Sequence, residues 1–306
     1  MAKYALKRLL MLIPLILIIS IIIFSMIHLM PGDPAKVIAG EGATEQDIAN
    51  VSRKYGFDRP YHEQYLTWAK NVLKGELGTS IRTNRPVVDE IGFRFVNTMK
   101  LAVLSMLIAS VLGISLGIIS ATKRYSLADN LTMILAMLGV SVTPFYLGLM
   151  LIIIFSVNLN WLPMMGLSSW QHWILPAVTL AARPTAMIAR MTRSNMLEVM
   201  SQDYILASKS HGLPDKLVVY KYALRNALNS VITVIGLQLG NQLGGAVITE
   251  TVFSLPGLGR LGVTSITARD FPAVQASILL MAVSFVVINL IVDLLYAYIN
   301  PKISYN

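Results

Sequence analysis

Apolar residues along this chain form long uninterrupted blocks and do not follow the short periods of surface helices or half-buried strands. A helix needs about 20 mainly apolar residues to cross the hydrocarbon core of a bilayer. Blocks of this kind predict six membrane-spanning helices, at residues 9–30, 101–122, 131–157, 174–191, 231–248 and 276–298. Arg183 and Pro184 interrupt the fourth block. The pattern predicts an all-α polytopic membrane protein whose two termini lie on the same side.

The composition agrees with this prediction. Of the 306 residues, 55% are hydrophobic and only 13% are charged, whereas soluble domains carry about 25% charged residues. An ordinary soluble enzyme is therefore excluded. The chain contains no cysteine, which excludes disulfide frameworks, thiolate metal sites and cysteine nucleophiles.

The positions of the charges indicate the topology. The net charge of +9 arises from 25 Lys and Arg against 16 Asp and Glu. With a cytoplasmic N-terminus, the short cytoplasmic segments contain twelve bases and four acids, as the positive-inside rule requires. Residues 31–100 contain ten bases and nine acids and are predicted to lie outside. We therefore expect both termini in the cytoplasm. Basic segments without interleaved aromatic residues argue against nucleic-acid binding.

The outer segment after the first span is predicted to form a small helical subdomain. Thr44 and Asp47 have the spacing of a capping box before a polar helix that ends near Gly56. A second helix is predicted from Pro60 to residue 73, with Gly75 beyond it.

The cytoplasmic stretch between the fourth and fifth spans is far longer than a turn needs. Residues 203–214 predict a short helix that ends at Gly212 and Pro214. A basic helix follows and reaches Arg225-Asn226-Ala227-Leu228. A short helix held between two longer ones suits docking into a groove on another protein. The alternative is an ordinary amphipathic loop that lies on anionic lipid.

This stretch resembles the coupling loop of type I ATP-binding-cassette (ABC) importer permeases. Ala207, Ser208, Gly212 and Leu224 lie at positions of the family signature, whereas Leu206, Tyr222 and Arg225 depart from it. The departures agree with the peptide/nickel branch, in which Asp-Tyr opens the loop and Arg-Asn-Ala-Leu closes it. Further segments resemble this branch in the same order: Pro31-Gly32-Asp33-Pro34, Leu77-Gly78-Thr79-Ser80, Ile174-Leu175-Pro176, residues 190–198, Gly236-Leu237-Gln238, residues 253–259, and residues 293–296 before Asn300-Pro301.

The resemblance implies the type I fold and the first-position permease of an importer for dipeptides, oligopeptides or glutathione in a bacterial or archaeal cell membrane. It also implies a second permease, two ATPase subunits and an extracytoplasmic substrate-binding protein as partners. ATP and Mg would be bound by the ATPases, so the chain would hold no cofactor or metal and would not itself be an enzyme. The residues it implies for contact with the ATPases are Asp203, Tyr204, Ala207, Ser208, Gly212, Leu213 and Pro214.

The expected division of the chain follows from these predictions. Residues 1–30 hold the N-terminal tip and first span, 31–97 the outer subdomain, 98–299 the permease domain with its coupling loop at 192–228, and 300–306 a cytoplasmic tail. Within the family the alternative substrate is nickel or a metal chelate. Outside it, the alternatives are an ion-driven secondary transporter or a membrane-embedded enzyme.

Small residues recur every four positions on two predicted spans and are expected to pack against other helices. Ser105, Ala109 and Ala121 share such a face on the second span with two glycines. The glycines expected in packing are Gly113, Gly117, Gly236, Gly240 and Gly244. The face suits either static packing or a sliding gate.

Polar residues at membrane depth are costly and indicate a hydrated pathway. Pro144 is expected to kink the third span and release backbone carbonyls. The pathway residues that we predict are Ser141, Arg183, Gln238, Asn241 and Gln242. Arg183 either guides a substrate carboxylate or is a structural partner of Glu250 or of a helix carbonyl.

Other motifs do not indicate chemistry. Residues 257–262 fit G-x-G-x-x-G literally, but they lack the soluble βαβ context of a dinucleotide site. The chain contains no Walker A sequence. Its four histidines are isolated from one another and from acids, so neither a metal site nor a catalytic triad is expected.

Overall fold

The computed structural model of the chain describes residues 2–29, 33–40 and 42–299. Over these ranges the chain is helical, apart from turns and one isolated β-bridge between Thr79 and Pro86. The predictions for residues 30–32 and for the tail at 300–306 lie outside the described residues.

The helices are labelled in chain order. They are α1 (Ala2–Leu29), α2 (Pro34–Ala39), α3 (Glu45–Tyr55), α4 (Tyr61–Leu73), α5 (Val87–Thr122), α6 (Leu127–Ser141), α7 (Pro144–Leu151), α8 (Ile174–Met200), α9 (Asp203–Ser210), α10 (Asp215–Leu217), α11 (Leu224–Val252), α12 (Leu258–Thr267) and α13 (Phe271–Ile299). A π-helical stretch continues α7 at Ile152–Asn158, and another joins α10 to α11 at Val218–Ala223.

Four of the described helical segments are long and apolar enough to cross a membrane. They are Arg8–Met26, Val87–Thr122, Asp215–Val252 and Phe271–Leu294, and the bent pair Leu127–Ser141 with Pro144–Asn158 makes five if it is one span. The remaining predicted span lies in α8, which carries Arg183, Arg190 and Arg193. Length and composition alone therefore give four or five spans in the described residues, and not the six predicted.

The third predicted span is broken and not merely kinked. α6 and the helix that begins at Pro144 meet at 109°. Val142 leaves the helical conformation (φ −78°, ψ 127°), and Thr143 caps α7 by accepting a hydrogen bond from the Tyr146 amide. A proline disfavours helical geometry in the residue before it, so Pro144 ends α6 and starts α7 at its first position.

The capping box predicted in the outer segment is confirmed. Thr44 Oγ1 accepts from the Asp47 amide at 3.3 Å, and the Asp47 carboxylate accepts from the Thr44 amide at 3.0 Å and from its hydroxyl at 2.7 Å. These hydrogen bonds hold the pKa of Asp47 below its ordinary value. Gly56 ends α3 in the left-handed conformation at φ +74°. α4 begins at Tyr61, one residue later than predicted, because Pro60 takes the cap position.

The chain divides into two compact units that are each discontinuous in sequence. One, the 6–97 unit, comprises residues 6–97 and 256–284; the other, the 98–255 unit, comprises residues 1–5, 98–255 and 285–306. The expected division into consecutive segments stays a prediction.

A buried aspartate organises the 6–97 unit beside a core of Val87, Ile91, Leu258 and Leu261. The Asp270 carboxylate, 1% exposed, accepts from the Ser80 hydroxyl at 2.5 Å and from the Ile81 amide at 3.1 Å. It thereby ties the end of the Leu77-Gly78-Thr79-Ser80 segment to the start of α13.

Candidate functional site

The short helix α9 is anchored in the 98–255 unit through one side chain. Ile205 is fully buried in a cluster that includes Ala121 of α5, Met196 of α8, and Val218 and Ala223 of the π-helical stretch. Ile205 thus shares one buried cluster with residues of α5, α8 and the π-helical stretch.

Most of the residues predicted to contact the ATPases lie together on the exposed surface of α9 and its C-terminal turn. The exposed members are Asp203, Tyr204, Ala207, Gly212 and Pro214. Ser208 is half-buried and donates from its hydroxyl to the Tyr204 carbonyl at 2.7 Å. Leu213 packs against the Ile205 cluster. It therefore helps to hold the loop in place and does not belong to the exposed surface.

The end of α9 has the geometry of a Schellman motif. The Gly212 amide donates to the Lys209 carbonyl at 2.9 Å and the Leu213 amide to the Ser208 carbonyl at 3.4 Å. Gly212 has φ +77°, and a Cβ on it would meet no atom within 4 Å. Pro214 then caps α10. Glycine is thus favoured at position 212 by the left-handed backbone conformation and not by lack of space for a side chain.

One hydrogen bond closes the loop. The Asn226 amide group donates from Nδ2 to the Tyr204 hydroxyl at 2.9 Å. Tyr204 belongs to the Asp-Tyr pair that opens the loop, and Asn226 to the Arg-Asn-Ala-Leu segment that closes it. The sequence shows both segments but gives no sign that they touch.

A partly buried ion pair between α6 and α8 was not predicted. Arg193 of α8 donates from Nε and Nη2 to the two carboxylate oxygens of Asp129 of α6, at 2.7 and 2.8 Å. The same carboxylate accepts from the Ser120 hydroxyl at 2.5 Å and from the Tyr125 amide at 3.0 Å. The bidentate pair therefore joins α8 to α6 and to the turn between α5 and α6. The partners are 64 residues apart, and no local sequence signal pairs them.

α8 has one buried face and one exposed polar stripe. Ile188 and Met196 are fully buried. The stripe contains residues at helical spacing: Arg183, Met187, Arg190, Ser194 and Glu198, of which only Met187 is half-buried. Neighbouring helices thus cover the apolar side of α8, and Arg183 and Arg190 lie on its exposed side.

Arg183 is exposed and, among the described residues, has no hydrogen-bonding or ion-pair partner. Glu250, the structural partner considered from the sequence, is 1% exposed and accepts from the Thr98 hydroxyl at 2.6 Å. The structural role for Arg183 is therefore not realised within the described chain. An arginine at membrane depth without a partner needs water or an anion.

The other predicted pathway residues divide into two groups. Asn241 is exposed and donates from Nδ2 to Gln238 Oε1 at 3.1 Å, and Ser141 is exposed and donates to the Met137 carbonyl. Gln242 differs, because it is 4% exposed and its Nε2 donates to Ser105 Oγ at 2.9 Å and to the Leu180 carbonyl at 3.3 Å. Gln242 therefore joins α5, α8 and α11, and its predicted place lining or bordering the pathway stays a prediction.

The glycines show which helix faces are in close contact. A Cβ on Gly117 would lie 2.5 Å from Thr192 Cβ and 2.7 Å from the Ala189 carbonyl, and one on Gly113 would lie 2.8 Å from Ile188 Cβ. α5 therefore packs backbone-close against α8.

The glycines of α11 behave differently from one another. Gly236 and Gly240 lie against Val292 and Asn289 of α13, whereas a Cβ on Gly244 would have no neighbour within 4 Å. Gly244 shares the exposed face of Asn241, and its role in helix packing stays a prediction. Among the described residues, no three His, Cys, Asp or Glu side chains are grouped so that they would hold a metal ion.

The fold and this loop define a helical membrane permease. The chain matches the family of binding-protein-dependent transport system inner membrane components over residues 113–305, and the N-terminal part of such components over residues 1–102. The chain belongs to this family, as a multi-pass protein of the inner membrane, and the predicted type I ABC importer permease is thereby confirmed.

Similar proteins agree with this membership. The chain is 47% identical over 305 residues to the glutathione transport system permease protein GsiC of Salmonella typhimurium and 46% identical to that of Escherichia coli K12, with 100% of both chains covered in each case. The MetNI methionine ABC transporter in inward-facing conformations superposes with a TM-score of 0.55 at 19% identity, over 68% of this chain and 97% of that chain. An amino acid ABC transporter crystallised with histidines gives a TM-score of 0.51 at 16% identity, over 69% and 92%. These two structures bear on the fold alone.

Proposed function

We propose that this permease subunit forms the membrane pathway of an importer for glutathione and related short peptides. The evidence for this choice of substrate is the similarity to glutathione permeases, at 47% identity with 100% of both chains covered. The proposed partners are a second permease, two ATPases that bind ATP and Mg, and an extracytoplasmic binding protein. Both termini then lie in the cytoplasm, on the side where bases exceed acids.

Coupling begins at α9, whose exposed residues dock into a groove of the ATPase. Movement of the ATPases displaces α9, and the buried Ile205 side chain passes the displacement to α8 and to the π-helical stretch before α11. The helical segment Asp215–Val252 is unbroken, so the displacement reaches Gln238 and Asn241. The pathway then changes the side from which it is open, in the manner of alternating access.

The exposed stripe of α8 supplies the charge of the proposed pathway. Arg183 and Arg190 are both exposed, seven residues apart on one side of α8, and glutathione carries two carboxylates at neutral pH. A guanidinium with no protein partner offers five donors to a carboxylate. Its role is to attract the peptide anion without binding it so tightly that release is slow.

Uptake by cells that contain the whole transporter tests the function. We expect energy-dependent uptake of labelled glutathione that is lost when this chain is deleted and that requires both the ATPases and the binding protein. Uptake of nickel but not of glutathione or dipeptides would establish the metal-chelate alternative. Uptake that persists without the ATPases and follows an ion gradient would establish a secondary transporter.

Replacing Arg183 with glutamine should lower kcat/KM for glutathione by about 10- to 150-fold, because one charge-assisted contact worth about 1.5–3 kcal/mol is lost. Arg183→Lys, which keeps the charge, should lose less. The internal control is a dipeptide whose C-terminus is amidated, since it lacks the carboxylate and should respond weakly. If Arg183→Gln lowered kcat/KM equally for the free and the amidated peptide, with normal complex assembly, Arg183 would not contact the substrate carboxylate in the pathway.

A further inference from the structure

The 6–97 unit contains two adjoining cavities that the proposed transport mechanism does not use. The larger, of about 310 Å³, lies among α3, α4 and the segment after α4. The smaller, of about 110 Å³, lies among α1, α12 and α13. Phe271 and Gln275 line both cavities, so the two spaces are neighbours on either side of the first turns of α13.

The larger cavity has a cationic rim on an aromatic wall. Arg53 and Arg59 line it with Phe57 and Trp68, and Glu76 is the acid among its lining residues. Within the described ranges, the guanidinium of Arg59 has no hydrogen bond or ion pair. Arg53 donates from Nη2 to Asn50 Oδ1 at 3.0 Å and from Nε to the Ala49 carbonyl at 3.4 Å, which leaves Nη1 available. Two cations against one carboxylate favour an anionic ligand.

The smaller cavity has a different chemistry. Its exposed wall is entirely apolar, and it is lined by Ile23, Met26, Ile266, Val274 and Ile278 besides the two shared residues. The Gln275 amide is directed to the Ile23 carbonyl at 3.5 Å. Residues Arg8–Met26 and Phe271–Leu294, which supply most of this wall, are candidate membrane spans. An apolar space of this kind at a membrane span accepts hydrocarbon.

We propose that the two cavities together bind one anionic phospholipid, with its phosphate at Arg53 and Arg59 and the end of one acyl chain in the smaller cavity. Guanidinium groups bind phosphate through charge-assisted, bidentate hydrogen bonds, and buried methylene groups add apolar contact. The larger volume lies at the lower end of the range of about 300–1,000 Å³ for ligand sites. A peptide or a free phosphate satisfies the cations but leaves the apolar cavity empty, so the pair of cavities favours a lipid.

Lipid retention by the full-length chain tests this site. The chain is extracted with its native partners, incorporated into nanodiscs that contain phosphatidylglycerol and phosphatidylcholine, and examined by native mass spectrometry. We expect phosphatidylglycerol to be retained in preference to phosphatidylcholine. Arg53→Gln with Arg59→Gln should reduce this retention by about tenfold or more, whereas Arg82→Gln with Arg85→Gln, which removes the same charge from an exposed loop of the same unit, should not.

A second pair of variants tests the apolar part. Ile278→Trp fills the smaller cavity and should also lower phosphatidylglycerol retention, whereas Ile291→Trp, at an exposed position of α13, should leave it unchanged. Equal retention of the two lipids by the unmodified chain overturns the proposal. If only the arginine variants weaken binding and glycerol phosphate competes fully, the site takes a free phosphate and the lipid is ruled out.

Discussion

Replacing Gly212 with tryptophan should uncouple ATP hydrolysis from transport. The residue has φ +77°, and a Cβ there would meet no atom of the chain within 4 Å. The new side chain therefore projects from the exposed surface of α9 that contains Tyr204 and Ala207. There it blocks the docking of α9 into the proposed groove of the ATPase. The left-handed conformation adds strain of about 1–2 kcal/mol. We expect uptake to fall by about tenfold or more, as one lost contact of about 1.4 kcal/mol predicts, while basal ATP hydrolysis and ligand capture by the binding protein continue.

Gly75→Trp is the matched control. Gly75 has φ +84°, and a Cβ on it would also have no neighbour within 4 Å, so the strain and the added bulk are the same. It lies in the 6–97 unit, just after α4, away from the coupling loop in sequence. Uptake close to that of the unmodified transporter is expected. If Gly212→Trp transports normally, or if Gly75→Trp is impaired equally, the coupling role of α9 is wrong.

Replacing Asp129 with asparagine should destabilise the 98–255 unit by about 1.5–3 kcal/mol, because the guanidinium of Arg193 then loses its charge-assisted hydrogen bonds to the carboxylate. The side chains of Asp129 and Arg193 are 3% and 24% exposed, so water replaces the lost partner only in part. The Ser120 and Tyr125 hydrogen bonds are weakened as well, since they end on the same carboxylate. Thermal unfolding of the purified transporter, followed through a tryptophan of this unit, measures the effect.

The adjacent arginine of α8 supplies the control for this pair. Arg190 is exposed, and its described contact is a weak one from Nη2 to the sulfur of Met187 at 3.8 Å. Arg190→Gln should change stability by no more than about 0.5 kcal/mol. The double variant Asp129→Asn with Arg193→Gln should cost less than the sum of the single variants, because the two groups interact directly. Additive losses would show that the pair does not hold the helices together.

Local signals in the sequence predicted local structure well. The spacing of Thr44 and Asp47 gave the capping box because both partners lie within one helical turn. Gly212 followed by Pro214 gave the end of α9, since a left-handed glycine and a residue without an amide hydrogen both stop a helix. The small residues of α5 gave a packing face because their spacing follows the helix itself.

Long-range partners were not predictable in the same way. Gln242 resembles Asn241 in sequence, yet one is buried between helices and the other is exposed, because a helix turns about 100° per residue. In the sequence, Asp129 and Arg193 are only one of the four acids and one of the twelve bases of the predicted cytoplasmic segments. α8 carries too many arginines for a lipid-exposed span, and its burial on one side depends on neighbours that no single segment specifies.

The unbroken helical segment Asp215–Val252 has a mechanical consequence. At about 1.5 Å per residue, its 38 residues form a rod of about 57 Å, longer than the bilayer core of about 30 Å. A tilt of about 5° at the π-helical end moves the far end by about 5 Å, by simple leverage over the length that this rise sets. The rod therefore acts as a lever: a small swing beside α9 becomes a displacement of atomic size at the opposite end, without any change of its own hydrogen bonds.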